Sequence, residues 1–229
     1  MNLINMLRNI SGMFVALYLM MPPSLMANES QFTFAKLAIE SSPAIRGNVT
    51  EDKGVVLLFE SSGDGISVGG SLLNTPKNTN GIMYVSYTYS FEQMILSVGV
   101  NYSNYFDYSQ PEIFIELVGR EDYYGFSPSI YITRGLSDET TYGEIGMSKD
   151  YFVDDWLLNL HTNVSFGQFY TDSFEMNHFD LGIDATTLMT EDVFLSFSVN
   201  AFTPLQAIKS LTGESDTEIQ LGASILFKF

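Results

Sequence analysis

Two histidines and their acidic neighbours carry the clearest chemical potential in this chain of 229 residues. His161 lies in one segment of alternating polar and apolar residues, and His178, Asp180 and Asp184 lie in the next. If the two segments form a hairpin with His161 opposite Asp184, Ser165 falls opposite Asp180. A histidine held by an acid beside a serine is the start of a hydrolase triad, so we weigh a hydrolase as one alternative.

The same side chains also fit a hydrogen-bonded network on the polar face of a sheet, and this is the interpretation that we favour. His178 and Asp180 lie two residues apart on one strand face, and His161 could join them around a zinc ion. Strand neighbours of this composition also arise by chance. We therefore predict no catalytic residue, no metal site and no cofactor.

Several acids point, by alternation, to the side on which the serines and asparagines lie. Like charges along a low-dielectric tube attract counter-ions, so an open tube with this lining should favour cations. If these acids instead formed ion pairs with Lys228 and Arg134 across the tube, the ion pairs would close the tube. The predicted pore-lining residues are Glu112, Glu116, Glu144, His161, His178, Asp180 and Asp184.

The elements that must position these residues are β-strands, because the dominant hydrophobic period is two. Trp156, Leu158 and Leu160 alternate with Leu157, Asn159 and His161, for example. Short turns and longer loops alternate between the segments, and one of the loops (204–212) could form a helical turn. We predict an all-β, antiparallel, up-and-down transmembrane barrel of about twelve strands, with ten possible. The predicted segments are 31–40, 53–60, 64–73, 81–91, 94–104, 111–119, 125–133, 140–149, 155–167, 177–187, 192–202 and 217–229.

Composition favours a membrane barrel over a soluble sandwich. Only 16% of the residues are charged and 14% are aromatic, and most predicted strands reach the ~9–11 residues that a tilted membrane strand needs. The formal net charge of −17 argues against nucleic-acid binding. The absence of cysteine excludes disulfides and a thiol nucleophile.

The two ends of the chain carry export signals. Residues 1–27 combine Arg8, an apolar stretch from 13 to 21 and an exit at Ala27, which predicts a cleaved signal peptide followed by one barrel domain over 28–229. The chain ends on one apolar strand face that includes Phe227 and Phe229. This ending resembles the terminal strand by which the barrel-assembly machinery recognises bacterial outer-membrane proteins.

Short motifs recur along much of the chain, and they are Arg46-Gly47, Tyr89, Phe91, Gly99, Tyr102, Pro111, Glu112, Phe114, Thr141, Tyr142 and Glu144. Together these motifs resemble the TorF family of proteobacterial porins, in a diverged form. Ile45 stands where that family usually has an aromatic residue. The resemblance implies an outer-membrane barrel with a pore function, and it brings no catalytic residues.

The predicted function is passive diffusion of small cationic or neutral solutes across the bacterial outer membrane, without enzymatic activity. The alternatives are a barrel-embedded hydrolase acting on lipid or lipopolysaccharide, and a closed structural or adhesive barrel. The expected partners are outer-membrane lipid, lipopolysaccharide, the barrel-assembly machinery and small solutes, with no nucleic acid. The sequence leaves the oligomeric state open.

Overall fold

The computed structural model describes residues 32–41, 44–45, 48–49, 53–105, 108–120, 125–168, 172–213 and 216–229. The predicted signal peptide, residues 1–27, lies outside the described residues, so its prediction stays untested. No helix within the described ranges is both long and apolar enough to cross a membrane.

Twelve antiparallel strands close into a barrel, which confirms the predicted fold class and excludes the ten-strand alternative. Each barrel strand pairs with its neighbours along the chain, and β1 pairs with both β4 and β14. The barrel strands are β1 (Phe32–Glu40), β4 (Gly54–Gly63), β5 (Ile66–Asn74), β6 (Thr79–Ser90), β7 (Met94–Tyr105), β8 (Tyr108–Gly119), β9 (Ser127–Gly135), β10 (Thr141–Val153), β11 (Trp156–Gly167), β12 (Glu175–Thr190), β13 (Val193–Pro204) and β14 (Glu218–Lys228). A small separate hairpin, β2 (Ala44–Ile45) and β3 (Asn48–Val49), lies between β1 and β4.

The two ends of the barrel differ. β1 begins and β14 ends at one end, which we call the terminal end; the opposite end is the loop end. Three of the terminal-end turns are two residues long, including Asp64-Gly65. Both of these residues have positive φ, 53° and 79°, which is the geometry of a tight hairpin turn that glycine adopts without strain. The loop end carries the connections 41–53 and 205–217, so the predicted alternation of turns and loops holds for most connections.

The β13–β14 connection contains the only helix among the described residues, α1 (Gln206–Thr212), in the segment where a helical turn was predicted. It packs against β12 and β13. Its side chains Ala207 and Ile208 are fully buried. Gly213, at φ 75°, ends the helix in the left-handed conformation.

The faces of the barrel follow the period of two in the sequence. Large apolar side chains such as Val100, Ile113, Ile115 and Leu181 are exposed on the exterior, while the polar residues between them point inward. A soluble sheet would place charged residues on such an exterior, whereas hydrocarbon requires an apolar one. Exposed aromatic side chains lie toward both ends of the barrel. Tyr89, Phe91, Tyr151 and Phe152 lie toward the terminal end, and Tyr102 and Phe174 lie toward the loop end.

One side chain, that of Gln110, organises the loop between β9 and β10. Its Oε1 accepts hydrogen bonds from the backbone N–H groups of Ser137 (3.1 Å) and Asp138 (3.2 Å), and its Nε2 donates to Asp138 Oδ1. Asp138 Oδ1 also accepts from the backbone N–H (3.0 Å) and hydroxyl (2.8 Å) of Thr140. Partial burial opposes ionisation of Asp138, but the hydrogen bonds from Gln110 and Thr140 together outweigh it and lower the pKa of Asp138.

We expect Gln110→Ala to move the pKa of Asp138 back toward its ordinary value, because the carboxylate loses a donor. The lowered pKa stabilises the folded loop above about pH 3.9, the ordinary pKa, and this contribution disappears as the pH falls through the folded-state pKa. A carboxyl-carbon NMR titration of Asp138 measures the shift. Gln168→Ala, at an exposed glutamine of the same end, is the control. Identical titrations in both variants would contradict the assignment.

Candidate functional site

The barrel interior contains a cavity of about 370 Å³, which we call the lumenal cavity. Strands β4 to β9 supply its walls, and inward positions on adjacent strands bring its residues together. Serine and threonine side chains fill much of the remaining surface. The principal lining residues are Glu60, Tyr84, Ser86, Asn101, Phe114, Glu116 and Tyr131.

Three aromatic rings form one side of the lumenal cavity. The rings of Tyr84 and Phe114 meet edge to face with centroids 6.4 Å apart, and Tyr131 lies 5.9 Å from Phe114. Gly99 makes room for this arrangement, since a Cβ there would lie 2.7 Å from the Phe114 ring. The rings therefore lie close against the wall and leave space in front of them.

Carboxylates flank these rings. Glu60 accepts hydrogen bonds from the Tyr84 hydroxyl and from Ser62 Oγ, the latter at 2.8 Å. Tyr131 lies in register between Glu116 on β8 and Glu144 on β10. In the part of the chain that the structure describes, no lysine or arginine forms an ion pair with Glu60, Glu116 or Glu144. These three carboxylates therefore lie on the inner wall without an ion-pair partner among the described residues.

Glu112, although predicted to line the pore, is enclosed. It is 1% exposed, and its Oε2 accepts hydrogen bonds from Ser103 Oγ (2.9 Å) and Thr133 Oγ1 (3.2 Å). These hydroxyls come from β7 and β9, on either side of β8. The carboxylate therefore ties three strands together on the inner face.

The predicted basic partners take different positions. Arg134 points away from the lumen, because its neighbour Thr133 points inward, and it pairs with Glu139 of the adjacent loop at 3.0 Å. Lys228 lies at the terminal end of β14, opposite Phe34. Neither residue forms an ion pair with the acids of the lumenal cavity.

The predicted register of the β11–β12 hairpin is wrong by two residues. His161 aligns with Gly182, and Asp184 aligns with Asn159. The pairing also shifts between Val164 and Phe166, where a bulge changes the alignment toward the loop end. Asp184 is therefore a diagonal neighbour of His161.

His161 still contacts Asp184, because the side chains of diagonal neighbours on adjacent strands can reach each other. His161 Nδ1 lies 3.4 Å from Asp184 Oδ2 and 3.3 Å from Asn159 Oδ1. Gly182 provides the space for the ring, since a Cβ there would lie 2.3 Å from His161 Nε2. Both His161 and Asp184 are half-buried on the lumenal face.

His178 and Asp180 form a second, enclosed network. Ser165 Oγ lies 2.5 Å from His178 Nδ1, and His178 Nε2 lies 3.4 Å from Asp180 Oδ2. Asn163 Nδ2 donates to Asp180 Oδ1 at 2.9 Å. The order Ser–His–Asp matches a hydrolase triad, but Ser165 is 0% and His178 2% exposed. A substrate cannot reach this serine without local opening of the barrel.

The structure does not gather the predicted residues into one site. Glu116 lines the lumenal cavity and Glu144 adjoins it, whereas the two histidine networks lie on β11 and β12. Among the described residues, no three histidine, aspartate or glutamate side chains are arranged to hold a metal ion. Sequence reasoning missed Glu60, Tyr84, Phe114 and Tyr131 as lumenal residues, although their alternation with outward apolar residues carried the signal.

We expect Ser165→Ala to destabilise the barrel by about 1–3 kcal/mol, because it leaves a buried ring nitrogen of His178 without its partner. Urea unfolding in lipid vesicles, followed by fluorescence of the single tryptophan, Trp156, measures the free energy of unfolding. Ser148→Ala is the matched control, since the half-buried Ser148 hydroxyl has no hydrogen bond to another described residue. Equal stabilities of the two variants would argue against a structural Ser165–His178 bond.

Comparison with known proteins gives structural similarity only. No family model matches the chain. No curated protein matches it either. The resemblance to the TorF family therefore stays a prediction.

Solved structures share the fold at very low sequence identity. The KdgM porin matches with a TM-score of 0.62 and 8% identity, covering 86% of this chain and 99% of that one. The NanC porin matches with a TM-score of 0.63 and 10% identity, covering 85% and 100%. An outer-membrane channel from Pseudomonas putida F1 matches with a TM-score of 0.53 and 9% identity, covering 91% and 99%. The chain thus has a porin-like fold, a closed twelve-stranded antiparallel β-barrel.

Proposed function

We propose that this chain is an outer-membrane pore for passive diffusion of small solutes, with a preference for cations over anions and with neutral solutes also admitted. The observation that carries the proposal is the group of carboxylates Glu60, Glu116 and Glu144 on the lumenal wall, without a basic partner among the described residues. Similarity in fold to porins and to an outer-membrane channel supports the pore.

The exterior supports the membrane location. Exposed side chains such as Ile115 and Leu221 would aggregate in water but are stable against hydrocarbon. In such barrels the short turns face the periplasm, so the terminal end would be periplasmic and the loop end would meet lipopolysaccharide. Phe227, exposed on the exterior of β14, and Phe229, beyond its end, are available to the assembly machinery.

Electrostatic attraction explains why the proposed pore would prefer cations over anions. Two charges 4 Å apart interact by about 1 kcal/mol in bulk water and by about 4 kcal/mol near a protein surface. A carboxylate on a narrow lumenal wall therefore attracts cations and repels anions more strongly than one in bulk solvent. Lys36 and Lys228 also lie on the inward face, on β1 and β14, and Lys36 aligns with Leu58 of the cavity wall. Neither lysine forms an ion pair with a lumenal acid among the described residues.

The hydrolase alternative is less well supported, because Ser165, the serine that hydrogen-bonds to a histidine within the described residues, is buried. The closed-barrel alternative requires the acids to pair with bases across the lumen. Among the described residues, the ion pairs of Arg134, His161 and His178 all join residues that are near neighbours on the wall or in a loop. We therefore favour the pore.

We expect the triple variant Glu60→Gln, Glu116→Gln, Glu144→Gln to lose most of its cation preference, because the substitutions remove charge and keep shape. The reversal potential of a planar bilayer in a potassium chloride gradient measures the preference. The matched control is Glu92→Gln, Glu191→Gln, Asp192→Asn, which removes three exposed acids from terminal-end turns. If the lumenal variant retains the wild-type reversal potential, the carboxylates do not select ions; a folded protein without conductance would refute the pore.

A further inference from the structure

We propose that the lumenal cavity is a binding site for a primary ammonium ion carried on a short alkyl chain. The proposal rests on the proposed pore, and it names the class of solute that the pore would hold during passage. A cavity of about 370 Å³ is large enough for such a molecule, since small-ligand sites begin at about 300 Å³.

The carboxylates supply the charge for the ammonium group. Glu60 and Glu116 both line the cavity, and Glu144 lies one strand beyond Tyr131. The hydroxyls of Tyr84 and Ser62 hold the Glu60 carboxylate in place. Among the described residues, no side chain forms a hydrogen bond with the Glu116 carboxylate, so its oxygens are available to a solute.

Ser86 provides an independent indication of a ligand. The residue is 7% exposed and lines the cavity, between the outward-facing Val85 and Tyr87. Its hydroxyl has no hydrogen-bond partner among the described residues. The hydroxyl of so buried a residue ordinarily has a hydrogen-bond partner. An ammonium group donates hydrogen bonds, and the Ser86 oxygen can accept one of them.

Aromatic and aliphatic groups complete the site. The rings of Tyr84, Phe114 and Tyr131 lie side by side next to the carboxylates, and Leu58 and Ile82 add aliphatic surface. An ammonium ion gains energy over an aromatic face, and an alkyl chain packs against the rings. An inorganic cation would use the carboxylates but leave the apolar surface in contact with water. A neutral alcohol would leave the carboxylates without a counter-charge.

Isothermal titration calorimetry of the refolded full barrel in detergent tests the site, with butylamine hydrochloride as the probe at neutral pH. 1-Butanol is the matched neutral ligand, and sodium chloride replaces butylamine hydrochloride in the reference titration. We expect butylamine to bind at least about tenfold more tightly than 1-butanol, because only the ammonium group forms charge-assisted hydrogen bonds with the carboxylates.

Variants locate the binding. Glu116→Gln should weaken butylamine binding by about tenfold or more, and Phe114→Leu by several-fold through loss of the ring face. Glu191→Gln, in an exposed turn, should leave the affinity unchanged. Gel mobility with and without boiling confirms that each variant is folded. Glu116→Gln keeps the size of the side chain, so the test remains decisive if Phe114→Leu does not fold.

The outcomes separate this inference from the proposed function. Equal affinities for butylamine and 1-butanol, or unchanged affinity in Glu116→Gln, would overturn the ammonium site. If the bilayer shows cation preference while butylamine does not bind, the site is refuted and the pore stands. If butylamine binds through Glu116 while the barrel shows no conductance, the site stands and the pore is refuted.

Discussion

The pairing of β1 with β14 is the interaction on which the rest of the barrel depends. Ala38 aligns with Ser224 on one side and with Val56 of β4 on the other, so the first strand has a neighbour along both edges. Lipid offers no hydrogen-bond partner to a strand edge, and an open sheet of this length would leave two edges unpaired. Closure also creates the enclosed interior in which polar side chains can be arranged around one axis.

Once the barrel is closed, the alternation of side chains assigns each residue to one of two environments. On β8 the outward residues are Ile113 and Ile115, while Glu112, Phe114 and Glu116 point inward. The inward residues divide again, according to what their neighbours offer. Hydroxyls from both flanking strands enclose Glu112, whereas Glu116 lies in register with Tyr131 and lines the cavity. An enclosed carboxylate and a cavity-facing carboxylate therefore lie on the inner face of one strand, with Phe114 between them.

The strands were predictable because their period of two is regular, and all twelve predicted segments overlap observed strands. The register of β11 against β12 could not be predicted in the same way, because the bulge near Ser165 depends on contacts that the alternation does not encode. The sequence identified His161, His178, Asp180 and Asp184 as inward residues, yet it did not show that Ser165 pairs with His178.

Tyr84 and Phe114 were missed because aromatic residues in a membrane barrel are expected on the outside. Their inward position follows from the serines and acids that share their face.

We expect lipid to cover the apolar face of each strand and water to reach the polar face. Since the chain contains no cysteine, single cysteines along β6 can carry a spin label without background. Electron paramagnetic resonance in lipid vesicles then compares collisions with oxygen, which concentrates in lipid, and with a water-soluble nickel complex. We expect more oxygen collisions at Val85 and Tyr87 and more nickel collisions at Ser86 and Thr88. Equal access of the nickel complex to all four positions would contradict it.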